Sequence, residues 1–210
     1  MGEAGVAREP ADPRRWLLVT VSTAGASGSV RVQVWRKLRS LGALYLHQSV
    51  CLLPATATLD REVRGLLDRV VREGGTGRSL LLSLDDPTEE ESIVAEFRSA
   101  RDAEYAEVLE RVPAFLAELA RERARGRATY AEVEESEADL TRFQTWLGKI
   151  ETRDYLGAPG RELARAAVAR CEADLAAFEA EAMAAESPEP VAARNEPDGD
   201  RAPAHAALDD

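Results

Sequence analysis

The chain is poor in the residues that most often build catalytic and metal sites. Its 210 residues include 2 histidines, 2 cysteines and 5% aromatic residues. His47 is the one histidine in sequence that we expect to be ordered, and nothing around it marks a serine nucleophile and its acidic partner. His47 and Cys51 also straddle a strand junction, which is not a standard spacing for metal ligands. We therefore expect no catalytic residues, no metal ion and no cofactor.

Long hydrophobic runs are absent as well. No stretch of about 18 apolar residues occurs, so we expect no membrane-spanning helix. Residues 1–13 lack the apolar centre of a signal peptide. Both cysteines, Cys51 and Cys171, lie in apolar patterns, where buried free thiols are favoured over a disulfide. These features together predict a cytoplasmic protein.

Charge is distributed unevenly along the chain, whose net charge is −11. Residues 1–84 carry 12 Lys/Arg and 7 Asp/Glu, a net charge of +5. Residues 85–185 carry 13 and 24, a net charge of −11, and residues 186–210 carry 2 and 7, a net charge of −5. A chain of this kind can meet an anion through its basic first part, while the acidic remainder repels nucleic acid. For the acidic half, ordinary solvated surface is the favoured interpretation.

Hydrophobic patterns in residues 14–84, here called the head, predict an α+β domain. A short apolar run over 16–21 indicates a buried strand, and apolar residues at helical spacing from Val30 to Leu41 indicate a helix that Gly42 ends. Two strand-like runs follow before Pro54, then a helix over 58–72 and a strand over 78–84. This order predicts a ferredoxin-like βαββαβ domain, with both helices on one face of an antiparallel sheet.

Residues 85–185, here called the helical module, have a different pattern. Apolar residues step by three and four along three segments, between Tyr105 and Leu119, between Val133 and Ile150, and between Ala164 and Ala182. Short connections predict that these helices pack antiparallel in a three-helix module. We expect residues 1–13 to be a disordered N-terminus and residues 186–210 to be a disordered acidic tail.

A cluster of cations on the first helix is the candidate functional feature of the head. Clustered cations are what phosphate contacts require, because release of counterions drives binding to nucleic acid. The same cluster is equally typical of a surface that keeps a protein soluble. The candidate nucleic-acid-binding residues are Arg31, Arg36, Lys37 and Arg39, together with Arg14 and Arg15 before the first strand.

Trp35 lies among these cations and allows two interpretations. Its ring could stack on a nucleobase. Because Val34 and Leu38 lie beside it on the apolar side of the helix, packing in the core is favoured.

Several separated blocks resemble, in order, the N-terminal region of the ChrB family. They read WRKL at 35–38, LGALYL at 41–46, QSVCLLP at 48–54, YAEVEE at 130–135, WLGKI at 146–150 and DYLGAPG at 154–160. ChrB proteins are chromate-responsive regulators encoded with chromate-efflux genes, and the resemblance spans residues 14–185. More distantly, the head is similar to the central ferredoxin-like domain of PaaX-type repressors and to the small nucleases of CRISPR adaptation. Those nucleases hold a divalent cation with a carboxylate after the first strand, where this chain has Ser22 and Thr23.

The resemblance implies a non-enzymatic transcriptional regulator that contacts DNA through the basic helix. It further implies an oxyanion effector, chromate, and a homo-oligomer formed through helical or sheet surfaces, with no membrane association. Longer ChrB proteins carry an additional C-terminal domain, and PaaX proteins carry a winged helix that has no counterpart in this sequence. The alternative is a protein–protein interaction or scaffold module that does not bind DNA.

Overall fold

The chain folds into four strands and five helices in the computed structural model, which describes residues 14–126 and 130–186. The predicted disordered N-terminus (1–13) and, apart from Glu186, the predicted acidic tail (186–210) lie outside the described residues. The α+β class is confirmed. The elements are β1 (Arg15–Ser22), α1 (Gly28–Ser40), β2 (Leu44–His47), β3 (Val50–Pro54), α2 (Ala57–Arg72), β4 (Thr76–Ser83), α3 (Pro87–Ala124), α4 (Tyr130–Thr152) and α5 (Arg161–Glu186).

The four strands form one sheet in the order β2-β3-β1-β4, and every neighbouring pair is antiparallel. β1 lies in the centre, where Val19 stands opposite Cys51 of β3 and Ser79 of β4. Because side chains alternate along a strand, Leu17, Val19 and Val21 share one face of the sheet. α1 and α2 cover that face with their apolar stripes, and these residues are all buried in one core.

The opposite face of the sheet is covered by the first turns of α3, which the sequence interpretation did not foresee. Trp16 of β1 is fully buried there and stacks on Phe97 of α3, with ring centroids 5.4 Å apart. Leu52 of β3 and Ile93 and Val94 of α3 complete this second core. α3 therefore belongs to the head through its start and to the helical module through the rest of its length.

The helical module has the predicted antiparallel arrangement. α4 begins six residues after the end of α3, and Arg153, just after α4, donates to Glu104 in the middle of α3 at 2.6 Å, so α4 runs back along α3. Arg123, near the end of α3, donates to Glu181 near the end of α5, so α3 and α5 run in the same direction. α3 continues as one helix through Pro113. Among the described residues, no helix is both long and apolar enough to span a bilayer.

Both cysteines are buried free thiols, as predicted, and they lie in different cores. Cys51 is in the core between the sheet and α1, whereas Cys171 is in the core of the helical module. Burial raises the pKa of Cys51 to about 12 and that of Cys171 to about 11. Both side chains therefore remain protonated thiols at neutral pH, which makes them poor nucleophiles.

The connection between α4 and α5 joins the helical module to the end of α1. The Tyr155 hydroxyl donates to the carbonyl oxygen of Leu41, which caps α1, at 3.0 Å. Gly42 follows with φ of 75°, the left-handed conformation expected after a helix. A Cβ atom at Gly42 would lie 2.9 Å from the Cβ atom of Arg153, so this close approach also requires glycine.

Candidate nucleic-acid interface

The apolar residues of α1 lie on one stripe of the helix. The candidate cations on its other positions are therefore exposed. Val30, Val34 and Leu38 repeat every four residues and are buried against the sheet. The remaining positions therefore face solvent, and Arg31, Arg36 and Arg39 are all exposed. The helix contains no acidic residue. Its outer surface is consequently positive.

A cleft of about 770 Å³ opens beside α1, bounded by the end of β1 and the turn between β2 and β3. We refer to it as the α1 cleft. Its floor is apolar and is formed by side chains of the first core, which are Val21, Val34, Leu38 and Cys51. An apolar floor of this size favours a ligand with an apolar or aromatic part.

The wall and rim of the α1 cleft are cationic and polar. Arg31 and Arg36 line it together, so the structure brings these two candidates to one site. The Arg31 Nε atom donates to the hydroxyl oxygen of Thr23 at 3.3 Å, which holds the guanidinium group at the cleft. None of the described residues that line the cleft is acidic. The arrangement suits an anion and not a metal ion.

Trp35 is exposed, so the expectation that it packs in the core is wrong. Its side chain remains 47% accessible and lines the α1 cleft. The guanidinium group of Arg39 stands over the ring, 5.2 Å from its centroid, in a cation–π contact. The physical reason is the turn of the helix, since each step of about 100° carries position 35 away from the buried side chain of Val34.

Tyr45 contributes a neutral phenol to the same cleft. Burial raises the pKa of Tyr45 to about 12, although the guanidinium group of Arg39 acts in the opposite direction. The hydroxyl group therefore keeps its proton throughout the physiological range. It can donate a hydrogen bond to an anionic or polar ligand.

Lys37 is separated from the α1 cleft. Its Nζ atom lies 2.6 Å from the carboxylate of Glu62 in α2, on the side of α1 that faces the second helix. The hydrogen bond from Lys37 and its charge lower the pKa of Glu62. A carboxylate beside Lys37 offsets part of its charge, so Lys37 is a weaker candidate for phosphate contact than its neighbours.

Arg14 and Arg15 do not join the cations of α1. Arg15 begins β1 opposite Ser83, whereas Thr23, which contacts Arg31, follows the last residue of the strand. The seven steps along β1 separate the two ends by roughly 23 Å. Arg14 instead borders a shallow groove that also includes Glu91 and Asp102. The six candidates are therefore divided between two regions of the head.

No group of three or more metal-ligating side chains occurs among the described residues. The buried carboxylate of Asp154 has a structural role, because it accepts hydrogen bonds from the Tyr105 hydroxyl at 3.1 Å and the Ala158 amide at 3.0 Å. The α1 cleft brings cations, aromatic rings and accessible volume together, and it is larger than a second cleft of about 320 Å³ that Arg142, Trp146 and Lys149 line on α4.

Comparison with known proteins identifies one family. No curated protein matches the chain significantly. The family model described as "Protein ChrB, N-terminal" matches residues 31–189, which begin in α1 and extend beyond α5. The match covers about three quarters of the chain, and it confirms the resemblance read from the separated sequence blocks. The chain belongs to the ChrB N-terminal family.

Proposed function

We propose that this protein is a cytoplasmic, non-enzymatic regulator of chromate resistance that contacts DNA through the exposed cations of α1. Membership of the ChrB family supports a role in chromate-resistance regulation. The observation that carries the DNA contact is the positive outer surface of α1, where Arg31, Arg36 and Arg39 are exposed on a helix without acids. The acidic helical module would repel phosphates, so DNA approaches from the side of the head.

We also propose that the head is a ferredoxin-like βαββαβ domain. The sheet order β2-β3-β1-β4 with antiparallel neighbours supports this assignment, as does the position of α1 and α2 on one face. In this arrangement α1 lies on the outside of the sheet, where its cations can reach a duplex.

A mobility-shift titration against the promoter region of the protein's own operon tests the DNA contact. The variant Arg36→Glu/Arg39→Glu should bind the promoter at least tenfold more weakly. The negative slope of the logarithm of the binding constant against log salt concentration should become shallower by about 2. The matched control is Arg142→Glu/Arg170→Glu, which makes the same change in net charge at exposed positions of α4 and α5. Equal binding by wild type and the α1 variant would contradict the proposal.

Chromate is the proposed effector. The family supports this assignment, and the arginines of the α1 cleft offer contacts for an oxyanion. Chromate added to the mobility-shift reaction should release the promoter at concentrations where sulfate, an oxyanion of the same charge and shape, has no effect. Equal release by both anions would indicate simple competition with phosphate, and no release by chromate would remove it as the effector.

A protein–protein interaction module is the second candidate function, and the edge strand β4 favours it. Leu80 and Leu81 are 52% and 57% exposed on this eight-residue strand. The opposite edge, β2, is four residues long and has an irregular register between Tyr45 and His47, features that discourage pairing with another chain. β4 lacks such protection, and its exposed leucines lie on opposite faces of the sheet.

We propose that a second copy of the chain pairs with β4 to form the homo-oligomer. Arg78 lies near the start of β4, and Asp85 and Asp86 follow its end after Leu84. Antiparallel pairing of two copies brings Arg78 of each toward the aspartates of the other, whereas parallel pairing would place the two Arg78 side chains together. The charges along the strand therefore favour an antiparallel, two-fold dimer.

Light scattering after size exclusion tests this dimer. Wild type should be dimeric, and Leu80→Lys/Leu81→Lys should be monomeric. The matched control, Leu163→Lys/Met183→Lys, adds the same charges at exposed positions of α5 and should stay dimeric. Loss of the dimer in the α5 variant alone would place the interface on the helices, and a monomeric wild type would contradict the proposal.

A further inference from the structure

We propose that the α1 cleft binds a nucleotide unit, with an aromatic base stacked on Trp35 and the phosphate held by Arg31 and Arg36. The inference rests on the proposed function only in placing nucleic acid at α1. It goes further because it assigns an unpaired base to the cleft, whereas contact with a duplex requires only cations on the surface of the helix. The same chemistry is offered by a free nucleotide and by an unpaired nucleotide of a strand.

The first support is the position of Trp35. A tryptophan that is 47% exposed leaves a large aromatic surface in water, although core-facing positions of the helix lie next to it at Val34 and about one turn away at Leu38. The contact with Arg39 limits the motion of the ring at the mouth of the cleft. A held and exposed ring is a stacking platform, and every base has a face that can use it.

The second support is the set of cations around that ring. Arg31 and Arg36 line the same cleft as Trp35, and Thr23 fixes the direction of Arg31. Neither guanidinium group forms an ion pair with a carboxylate in the described part of the chain, in contrast to Lys37 with Glu62. Both charges are therefore available for a phosphate, to which a guanidinium group can donate two parallel hydrogen bonds.

The third support is the size and polarity of the cleft. Its volume of about 770 Å³ is far larger than a bare tetrahedral oxyanion needs and lies within the range of small-molecule sites. A base placed on the apolar floor of Val21, Val34 and Leu38 would remove apolar surface from water, which favours binding. A small oxyanion would not cover this surface. Gln48 and Ser49 at the rim can form hydrogen bonds with the edge of the base.

Pairing in a duplex blocks this mode of binding. A paired base exposes only its edges in the grooves, and presenting its face to Trp35 requires that the base first unpair and unstack, which is energetically unfavourable. A single strand presents its bases without that cost. The cleft should therefore prefer an unpaired nucleotide over a paired one of the same sequence.

Quenching of tryptophan fluorescence tests the inference in the full chain. The chain has 3 tryptophans, of which Trp16 is fully buried and Trp146 is half-buried beneath Arg111. The probes are adenosine monophosphate, a dT12 single strand, a 12-base-pair duplex and inorganic phosphate. Saturable quenching by the monophosphate identifies a free nucleotide as the ligand, and quenching by dT12 alone identifies an unpaired strand. Phosphate alone should not quench.

The variant Trp35→Leu should lose the quenching and bind the active probe roughly tenfold more weakly, as measured by calorimetry. Because the side chain is exposed, circular dichroism should show an unchanged fold. The matched control Trp146→Phe should keep both the quenching and the affinity. Unchanged affinity for the probe in Trp35→Leu would overturn the inference. It would also be overturned if Trp35 were needed to bind another protein and none of the nucleotide probes bound.

The two proposals can fail separately. Duplex binding that depends on Arg36 and Arg39 but not on Trp35, with no binding of dT12 or nucleotide, leaves the DNA contact intact and removes the nucleotide site. Binding of nucleotide without any binding of the promoter leaves the α1 cleft as a nucleotide site and removes the proposed DNA regulator.

Discussion

The Tyr155 hydroxyl group donates a hydrogen bond to the Leu41 carbonyl oxygen at 3.0 Å, across 114 residues of sequence. Leu41 caps the C-terminal end of α1, the helix that carries the candidate interface. Tyr155 lies between α4 and α5, so the helical module contacts the end of α1 directly. A change in the packing of α4 and α5 would therefore displace the end of α1. This contact gives the helical module a physical means to influence the candidate interface.

Removal of the Tyr155 hydroxyl group should weaken this junction without disturbing the core. Tyr155→Phe should lower the free energy of unfolding by about 1 kcal/mol, the usual worth of one hydrogen bond. Urea denaturation measures the loss. Tyr45→Phe is the control, because its ring is also half-buried and its hydroxyl group forms no hydrogen bond with the described residues. A loss in Tyr155→Phe no larger than in the control would show that the contact with Leu41 contributes nothing to stability.

Gly42 provides a sharper test of the same junction. Gly42→Ala should lower the free energy of unfolding by about 2 kcal/mol, since φ of 75° is unfavourable for alanine and the new Cβ atom would meet Arg153. Gly65→Ala is the matched control, because Gly65 lies inside α2 with nothing within 4 Å of the added atom. The control should gain roughly 0.5–1 kcal/mol from helix propensity. Thermal melts of both variants that shift in the same direction would argue against the close approach at Gly42.

The buried carboxylate of Asp154 should be essential for the connection between α4 and α5. It accepts hydrogen bonds from Tyr105 and Ala158, and Arg161 lies 3.9 Å away. Burial raises the pKa of Tyr105, and the neighbouring Asp154 raises it further, so the phenol remains a donor.

Asp154→Asn should lower the free energy of unfolding by about 2 kcal/mol or more, because the amide nitrogen cannot accept these hydrogen bonds. The control is Asp139→Asn, whose carboxylate in α4 is half-exposed and should matter little. Chemical denaturation distinguishes the two variants. Similar midpoints would mean that the single amide oxygen of the substituted side chain replaces the carboxylate adequately.

The secondary structure of the head could be predicted from its sequence because the apolar patterns there are short and end at recognisable residues. The predicted helix from Val30 ends at Gly42, where the structure has the left-handed glycine that the residue type suggested. Strands predicted over 16–21 and 78–84 correspond to β1 and β4 within two residues. In each case the flanking Gly, Pro or polar residues mark the boundary locally.

The contact of α3 with the sheet could not be predicted in the same way. α3 is 38 residues long and serves two cores, with Phe97 against the sheet and Val108 in the helical module. A periodic pattern shows which residues of a helix are apolar but not which partner each stretch meets. The sequence offered one signal, which is that Trp16 falls on the second face of the sheet. An aromatic residue there would be exposed unless another element covered it, and the structure shows that it is fully buried.

The candidate site was predicted in part. Charge alone identified Arg31, Arg36 and Arg39, but Trp35 was assigned to the core because apolar neighbours flank it in sequence. On a helix, sequence neighbours point in directions about 100° apart, so Val34 is buried while Trp35 is exposed. The domain boundaries remain predictions, since α3 belongs to both parts of the chain.

Alkaline pH should destabilise the head through two groups that must stay protonated when folded. In the folded state, burial raises the pKa of Cys51 from 9.0 to about 12 and that of Tyr45 from 10.0 to about 12. The unfolded chain therefore releases these protons at lower pH than the folded chain. The stabilisation is fully present below pH 9 and is lost as pH rises from about 9 to about 12.

Equilibrium unfolding at a series of pH values should show this loss. Cys51→Ala should reduce the slope of the free energy of unfolding against pH between pH 9 and pH 10, where the thiol of the unfolded chain ionises first.

The same burial predicts that a disulfide-exchange reagent at pH 8 leaves Cys51 and Cys171 unmodified in the folded protein and modifies both in denaturant. Rapid modification of Cys51 without denaturant would mean that the floor of the α1 cleft opens to solvent, and the alkaline loss should then be absent.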